Sequence, residues 1–535
     1  MNLGLYGFGP AKKRKWIAID IGVTFPDAYW PGVDLVLPDI RFLESEVDNL
    51  EAIVITHAHE DHYGALLALW DRLQVPVYCT LFTAGMIEAK RLSERDAPEI
   101  PVTVFQAGET FSVGPFSIEA VHVTHSIPEP VSLAITSPLG TALHTADWKI
   151  DPAPAIGNPI DENSFRRIGD TGVLALVCDS TNAIRVGESP SEMEVSQGLQ
   201  EVIEASPGRV FVTTFSSNVG RIKSIALAAE AAGRRVLILG RSLKRVIDVS
   251  RELNYLDGVA PFLDEAEFAS VPREEIVVIL TGSQGETRAA LAKLSRDEMR
   301  NVHFTPGDRV VYSSRTIPGN EKLILDTQNR LIDMGVEIVT DNDALVHVSG
   351  HPRRSELKKM YDWVKPTIAV PVHGEAAHLS AHASLAADLG VPDVAPIRNG
   401  NMLRLAPGSA EIIADVPVGR IYKDGNFIGD EDEMGIPRRR SLSYVGHVAM
   451  ALVVDRKGEL VSEPDMECNG LPETFDDEDF EDFLFDAAIG AFESIPHKRR
   501  KDPELIRDAV TRAIRATARN LWGKKPVTTV FVSMV

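Results

Sequence analysis

Residues 56–62, THAHEDH, form a dense histidine cluster directly after a short apolar run. The run Ala52–Ile55 predicts a buried strand, and residues 63–70 predict the helix after it. The cluster therefore lies on a strand-to-helix loop, where several side chains can converge on one point. Histidine and aspartate are ligands for Zn²⁺ and Mn²⁺, so this loop is typical of a metal site. The candidate ligands are His57, His59, Asp61 and His62.

A tetrahedral ion that keeps one position open accepts three protein ligands. Four candidate side chains therefore favour two ions over one. The alternative interpretation is a polar loop with solvated histidines. Further candidates follow predicted strands at 116–123, 141–145 and 173–178, and they are His125, Asp147 and Asp179. Because α/β folds gather their chemistry at the carboxyl ends of strands, we expect these side chains to share one crevice with the loop.

From about residue 200 the pattern becomes strand–loop–helix, repeated several times. Strands are predicted at 209–214, 235–239, 276–280 and 309–312. This predicts a second, mostly parallel α/β domain. The loops after these strands are rich in Gly, Ser and Asn, a composition that suits backbone cradles for phosphates. Ordinary helix N-caps explain the same composition equally well.

Histidines return late in the chain, in HVSGH at 347–351 and PVHGE at 371–375. The first precedes a predicted helix at 352–364, and the second follows a predicted strand at 367–371. Near the end, a helix at 503–521 and a strand at 527–532 are predicted. We interpret residues 440–535 as a small α/β module that mediates self-association rather than chemistry.

Length and composition limit the classes of protein that remain. A chain of 535 residues predicts two to four domains. The three cysteines, Cys79, Cys178 and Cys468, show no paired spacing and predict no disulfide framework. The chain also lacks a signal-peptide pattern and the run of about 18 apolar residues that a membrane span needs. A cytoplasmic location is therefore expected.

The net charge of −22 by itself disfavours a nucleic-acid partner, but the charge is unevenly distributed. Eleven acids and no Lys or Arg lie between Glu463 and Asp486, which is half of the excess. Basic clusters lie at 12–15, 353–354, 438–440 and 498–501. Net charge alone does not exclude a polyanionic substrate when metal ions and local basic groups hold the phosphates.

The histidine loop followed by His125, Asp147 and a late histidine resembles the metallo-β-lactamase superfamily. Further motifs resemble the ribonuclease J family of bacterial β-CASP nucleases: HTADWK at 144–149, DSTN at 179–182, HVSGH and PVHGE. There are two departures from that family. It usually has a strand and a Gly-rich turn ahead of Met1–Leu3, so their absence predicts a misplaced start codon or a weakened first sheet. It usually has Gly where Ala146 stands, which should be tolerated because Asp147 is kept.

The resemblance implies an α/β architecture. A metallo-β-lactamase αββα sandwich is expected from 1–191 and 350–430, with a parallel α/β β-CASP domain inserted at 192–349 and a small C-terminal α/β domain at 440–535. RNA would run through the cleft between the two larger domains. The resemblance further implies a homodimer or homotetramer, protein partners in RNA degradation and no membrane association.

The family pattern also implies the roles of the candidate residues. His57, His59 and His125 would hold one divalent ion, Asp61, His62 and His373 the second, and Asp147 would bridge them. Zn²⁺ is the preferred ion and Mn²⁺ the alternative, and such a pair can clamp the attacking and leaving oxygens of a phosphodiester. Asp20 is expected to support the ligand loop from outside the ligand set.

Two further roles concern the substrate. His351 is expected to give the leaving 3′-oxygen its proton, with Asp179 orienting the imidazole. The alternatives are a phosphate-binding group for His351 and a strand-end cap for Asp179. The terminal nucleotide or its 5′-phosphate is expected to bind at His347, Val348, Ser349, Gly350 and His351.

Three functions compete on this basis. The leading one is a processive 5′-to-3′ exoribonuclease that prefers a 5′-monophosphate, can also cut internally, and acts in RNA maturation and decay. A glyoxalase-II-like thioesterase is the second, but a small ester needs neither the inserted domain nor HVSGH. A non-catalytic RNA-binding scaffold is the third, and the complete set of ligand positions argues against it.

Overall fold

The computed structural model describes residues 1–317 and 319–535. These residues form two compact units. The first unit contains residues 1–23 and 38–419, and the second contains residues 24–37 and 420–535.

Two sheets packed face to face form the sandwich of the first unit. One sheet has five strands, in the spatial order Gly4–Phe8, Lys15–Ile19, Leu50–Val54, Val77–Cys79 and Val102–Val104. The other has seven, in the order Asp393–Val394, Ile368–Val372, Ala175–Asp179, Gly140–His144, Val131–Ser137, Phe116–His122 and Thr110–Val113. Ile17 and Val54 of the first sheet pack against Ile118 and Leu133 of the second in one buried cluster. Burial of this apolar surface on both inner faces is what joins the sheets.

Helices cover the outer faces of the sandwich. Phe165, Leu357 and Leu385 come from three helices and join the buried cluster on the outer side of the seven-stranded sheet. The helices of this part are Arg41–Ser45, Glu60–Tyr63, Leu66–Leu73, Leu81–Ser93, Glu162–Thr171, Arg354–Val364 and Ala376–Asp388. The arrangement confirms the predicted αββα sandwich.

The parallel part of the seven-stranded sheet positions the later site residues. Gly140–His144 pairs in parallel with Ala175–Asp179, which pairs in parallel with Ile368–Val372. Because their carboxyl ends lie at one edge, the residues that follow these strands emerge side by side.

A third sheet, of five parallel strands, is inserted into the sandwich. Its spatial order is Arg235–Leu239, Ile276–Leu280, Val210–Thr213, Arg309–Tyr312 and Glu337–Val339. The helices of this part are Glu192–Glu204, Val219–Ala231, Arg241–Glu252, Ala290–Leu294 and Glu321–Asp333. The predicted second parallel α/β domain is therefore confirmed. A hairpin of Asn401–Arg404 and Glu411–Asp415 follows in the same unit.

The second unit contains three small sheets. One joins Phe427–Gly429, Arg420–Asp424 and Leu35–Pro38, another joins Asp465–Asn469, His447–Val454 and Val527–Met534, and Thr474–Phe475 pairs with Glu478–Asp479. Its helices are Ile436–Val445, Phe480–Ser494 and Pro503–Trp522. The two longer helices pack on the second sheet through buried Leu484, Val510 and Val448.

Two details differ from the sequence interpretation. The predicted helix at 63–70 is two helices, Glu60–Tyr63 and Leu66–Leu73, separated at Gly64 and Ala65. The strand Gly4–Phe8, which sequence reasoning missed, pairs antiparallel with Lys15–Ile19 at the edge of the first sheet. Among the helices of the described residues, none is both long and apolar enough to cross a membrane.

Candidate metal centre and active site

A close approach of two backbone segments shapes the histidine loop. A Cβ atom on Gly22 would lie 1.7 Å from the carbonyl oxygen of Asp61, so only glycine fits there. Beside this approach, the amide of Ile21 donates to the carbonyl of His62 at 2.6 Å and joins the same two segments. The loop that carries the candidate ligands is therefore fixed against the end of the adjacent strand.

Three imidazoles and one carboxylate form the first ligand group: His57, His59, His125 and Asp147. Nδ1 of His59 lies 3.1 Å from Nε2 of His57 and 3.0 Å from Nε2 of His125. Oδ2 of Asp147 lies 3.8 and 3.6 Å from the Nε2 atoms of His57 and His125. One candidate atom from each of the four lies within 4.8 Å of the others, as ligands around one small cation must.

A second group shares Asp147 with the first and adds Asp61, His62 and His373. Nε2 of His62 lies 3.2 Å from Oδ2 of Asp147 and 3.5 Å from Oδ2 of Asp61. Nε2 of His373 lies 3.4 Å from Oδ2 of Asp61 and 3.6 Å from Oδ1 of Asp147. Asp147 thus stands between the two groups.

One oxygen of the Asp147 carboxylate lacks a hydrogen-bond donor in the part of the chain that the structure describes. Its Oδ1 atom is buried and, among the described residues, has no hydrogen-bond donor. Since a buried charged oxygen without a partner is costly, a cation beside it fits this position. The preceding residue, Ala146, has a φ of 49°, in the left-handed region where glycine is favoured, so local backbone strain accompanies the placement of Asp147.

The pKa directions in the two groups agree with cation binding. Burial lowers the pKa of His59 to about 4, and it holds the pKa values of His57 and His125 well below their usual range. Those three rings are therefore neutral and can offer lone pairs to a metal. Burial also acts to lower the pKa of His62, but the carboxylates around it, with Asp147 foremost, raise the value to about 10. The second group thus favours positive charge at its centre.

Hydrogen bonds from outside the groups orient the imidazoles. Nδ1 of His62 lies 2.7 Å from Oδ2 of Asp20, and Nδ1 of His57 lies 3.0 Å from the hydroxyl of Thr56. Nδ1 of His125 donates to the carbonyl of Gly350 at 2.7 Å. Such partners fix the tautomer and leave Nε2 directed at the centre.

His351 and Asp179 lie at the side of the second group. Nδ1 of His351 lies 2.7 Å from Oδ2 of Asp179 and 3.9 Å from Oδ2 of Asp147. Burial acts to lower the pKa of His351, but the charges of Asp179 and Asp147 raise it above its usual value. These three residues and His373 form a third group with ligand spacing, which overlaps the second.

The 347–351 loop joins this centre to the parallel domain. Nδ2 of Asn182 donates to the hydroxyl of Ser349 at 2.9 Å and to the carbonyl of His351 at 3.1 Å. The carbonyl of Val346 accepts from Arg221 at 3.1 Å and from the hydroxyl of Ser313 at 2.7 Å. Asn182 therefore holds the loop at Ser349 and His351, and Arg221 and Ser313 hold the residue that precedes the loop, Val346.

Apart from Ser349 and Gly350, whose contacts are given above, the predicted site residues fall into three sets. The seven predicted ligands converge in the first two groups, and His351 and Asp179 lie beside them. His347 and Val348 do not join any of these groups; Val348 is buried, and Nδ1 of His347 is buried without a partner among the described residues.

Sequence reasoning missed Thr181 and Asn182 as orienting residues. The hydroxyl of Thr181 lies 2.7 Å from Nδ1 of His373 and 2.7 Å from Oδ1 of Asp179. The DSTN motif at 179–182 contained the signal, because hydroxyl and amide groups directly after a site carboxylate are suited to bind its neighbours.

Four family models together match most of the chain. They are "Beta-lactamase superfamily domain" over residues 16–213, "Ribonuclease J, beta-CASP domain" over 207–331, "Zn-dependent metallo-hydrolase RNA specificity domain" over 335–396 and "Ribonuclease J C-terminal domain" over 434–535.

Curated relatives match over most of their own length. The chain is 61% identical over 537 residues to Ribonuclease J of Sinorhizobium meliloti, covering 100% of this chain and 95% of the relative. It is 42% identical to Ribonuclease J of Mycolicibacterium smegmatis, covering 82% of this chain and 79% of the relative. It is 41% identical to Ribonuclease J of Mycobacterium tuberculosis, covering 85% and 82%.

Proposed function

The chain belongs to the ribonuclease J family and is a metal-dependent ribonuclease of the metallo-β-lactamase superfamily, and we propose that it degrades RNA from the 5′ end. Its preferred substrate carries a 5′-monophosphate, its product is a mononucleotide, and internal cleavage is a second activity. It acts in RNA maturation and decay. The observation that carries the proposal is the 2.7 Å hydrogen bond between His125 and Gly350, which joins a candidate metal ligand directly to the 347–351 loop.

We assign two divalent ions to the site. His57, His59 and His125 would hold one, and Asp61, His62 and His373 would hold the other. Asp147 would be a ligand in both sets, an assignment supported by the shared position of its carboxylate in the two groups. Zn²⁺ is the preferred ion and Mn²⁺ the alternative, because imidazole-rich sets suit Zn²⁺ while carboxylates suit Mn²⁺. When bound, the ions would polarise the scissile phosphate and lower the pKa of the attacking water.

His351 is the proton donor in this mechanism. Its Nδ1–H donates to Oδ2 of Asp179 at 2.7 Å, which leaves Nε2 to give a proton to the leaving 3′-oxygen. Asp179 is itself held, since the amide and hydroxyl of Thr181 donate to its Oδ1 at 2.8 and 2.7 Å. The donor is therefore positioned by a carboxylate that cannot rotate freely.

The 347–351 loop holds the 5′ end. The hydroxyl of Ser349, the backbone amides of the loop and His351 can donate to a terminal monophosphate. Because the same loop contacts His125, a 5′-phosphate held there leaves only the first phosphodiester near the ligand groups. A 5′-triphosphate is longer and more highly charged, so it fits such a pocket less well. This geometry favours release of one nucleotide at a time.

The inserted parallel domain meets the sandwich beside His125, around a cavity of about 10 Å³ that is large enough for one water molecule. The cavity is lined by Ser126 and Lys149 from the sandwich and by Asn218 and Gly220 at the start of a helix of the parallel domain. A small ester would need no surface from the inserted domain, whereas an RNA strand contacts several successive groups.

Several further assignments complete the proposal. We place the metallo-β-lactamase domain at 1–191 and 350–430, the β-CASP domain at 192–349 and the self-association domain at 440–535. We further propose a homodimer or homotetramer in the cytoplasm, with partners among RNA-degradation proteins.

The test is a time course on single-stranded RNA with a labelled 5′-monophosphate. We expect the label to appear first as a mononucleotide, with Zn²⁺ or Mn²⁺ present and not with chelator. Early labelled fragments of intermediate length, without labelled mononucleotide, would contradict the exonuclease assignment and favour internal cleavage.

A further inference from the structure

Two exposed tyrosines in the second unit each carry a cation on the ring. The guanidinium carbon of Arg440 lies 3.5 Å from the ring centre of Tyr29, whose surface is 54% exposed. Nζ of Lys524 lies 4.2 Å from the ring centre of Tyr444, which is 69% exposed. Isolated pairs of this kind are common and stabilise a fold only slightly at exposed sites.

The two pairs are linked through one helix. Arg440 and Tyr444 lie four residues apart in the helix Ile436–Val445, so their side chains share a face. The ring of Trp30 also packs edge-on to Tyr29, with centroids 5.4 Å apart, and Arg420 lies 4.8 Å above the ring of Trp30. The second unit thus carries three aromatic rings, each with a cation on it, and the helix Ile436–Val445 links two of these pairs. We call this set the cation–aromatic ladder, and its members are Arg420, Trp30, Tyr29, Arg440, Tyr444 and Lys524.

The charge around the ladder has a definite pattern. Arg438 precedes Arg440 on the same helix, and Lys525 follows Lys524; both side chains are exposed. Glu431 accepts from Arg440 at 2.5 Å and holds that guanidinium in place over Tyr29. Acids lie at 430–433 and Asp424 pairs with Arg439, so the cations that remain exposed to a polyanion beside the aromatic rings are Arg438 and Lys525.

Single-stranded nucleic acid is the polymer with matching chemistry. Its bases stack on aromatic side chains without regard to sequence, while Arg and Lys neutralise the phosphates between them. An acidic peptide would use the cations but not the exposed ring faces. An apolar partner would use the rings but would leave the cations buried without counter-charges, which is costly.

We propose that the cation–aromatic ladder is a second RNA-binding surface, which stacks the bases of single-stranded RNA away from its reacting end. The inference rests on the proposed function only in taking RNA as the ligand. It adds a function to the C-terminal part of the chain, for which sequence reasoning assigned self-association alone.

The first experiment measures affinity without cleavage. Fluorescence anisotropy of a labelled, unstructured 20-nucleotide RNA is followed with full-length protein in chelator. The double variant Tyr29→Ala/Tyr444→Ala should bind at least about tenfold more weakly, because each stacked base contributes substantially to binding by alanine substitution. Tyr444→Phe should retain affinity, since it keeps the ring. Phe427→Ala is the matched control, because Phe427 is 76% exposed and carries no cation among the described residues.

Salt dependence separates stacking from charge. Arg438→Ala/Lys525→Ala should reduce the slope of log affinity against log salt by about 1.4, or about 0.7 for each phosphate that is no longer neutralised. The tyrosine variants should weaken binding at every salt concentration with little change in slope. Unchanged affinity in the tyrosine pair and unchanged slope in the cation pair would overturn the proposal.

Two more measurements keep the outcomes distinct. Hydrolysis of a 5′-phosphorylated dinucleotide tests the proposed catalytic site alone and should be unaffected in the ladder variants. Failure of the unmutated protein to cleave the dinucleotide would contradict the proposed function. The ladder would still be tested by the RNA affinities of its variants. Sedimentation should give the same mass for parent and variants. A lower mass in the variants with unchanged RNA affinity would identify the ladder as a contact between copies and would refute RNA binding.

Discussion

Nδ1 of His351 lies 2.7 Å from Oδ2 of Asp179, while the same nitrogen is 3.9 Å from Asp147, the carboxylate shared by the two ligand groups. His351 is thus hydrogen-bonded to Asp179, at the end of one strand, and is only near Asp147, which follows another strand. This geometry allows two roles, proton donor and metal ligand, that experiment can separate.

His351→Ala should keep the metal content near that of the parent and slow cleavage by about 10²–10⁴-fold, the usual contribution of a general acid. Metal analysis and single-turnover cleavage are measured on the same sample. His303→Ala is the control, since its side chain is 53% exposed and outside the site. Loss of an ion from the His351 variant would make it a ligand and would count against the assignment of His373.

Asp147→Ala should abolish hydrolysis and reduce bound metal, because the shared carboxylate is removed from both groups. Asp170→Ala removes a carboxylate that is 73% exposed and should change neither property. Metal content by atomic spectroscopy and cleavage of labelled RNA are the measurements. Full activity in a metal-analysed Asp147→Ala protein would exclude the two-ion mechanism.

Ala146→Gly should stabilise the protein slightly. The φ of 49° costs an alanine roughly 1–2 kcal/mol, which exceeds the roughly 0.4–1 kcal/mol that glycine loses through unfolded-chain entropy. The free energy of unfolding should therefore rise by up to about 1 kcal/mol, measured with urea. Ala175→Gly, in a buried strand, should instead destabilise. A clear loss of stability in Ala146→Gly would mean that the methyl group packs well enough to outweigh the backbone strain.

Arg221→Met should destabilise the chain by about 3–5 kcal/mol, since it removes the hydrogen-bonded counter-charge of the buried Glu192 and leaves only Lys149, at 4.0 Å. Arg221 is fully buried and donates to Glu192 at 2.8 Å, besides holding the Val346 carbonyl. Urea unfolding of single variants and of Arg221→Met/Glu192→Met gives the coupling. The double variant should recover much of the loss; a simple sum of the two single effects would show that the ion pair contributes little.

Much of this fold can be predicted from sequence because its strands are short apolar runs that end in polar residues. The strand 276–280 has the bounds that its apolar run predicts, since every residue of it is buried. By contrast, Glu411–Asp415 is exposed at each position and gives no alternating pattern. The strand Gly4–Phe8 is mostly half-buried and contains two glycines, which weakens its signal in the same way.

The same contrast applies to the site. His57, His59 and His62 lie close in sequence, so their convergence can be anticipated from the loop alone. The pairing of Thr181 with His373 joins residues 192 positions apart and depends on the parallel register of two strands. Sequence spacing does not specify such a contact; the packed sheet does.

Recognition of the 5′ end is tested by comparing cleavage of the same RNA with a 5′-monophosphate and with a 5′-triphosphate. We predict faster degradation of the monophosphate, and we expect Ser349→Ala to reduce the preference by about 1.5–3 kcal/mol, the typical contribution of a hydrogen bond to a charged group. Ser45→Ala, at an exposed helix end, is the control and should leave the preference unchanged. Equal rates on both substrates in the unmutated protein would contradict 5′-end recognition and leave internal cleavage as the better description.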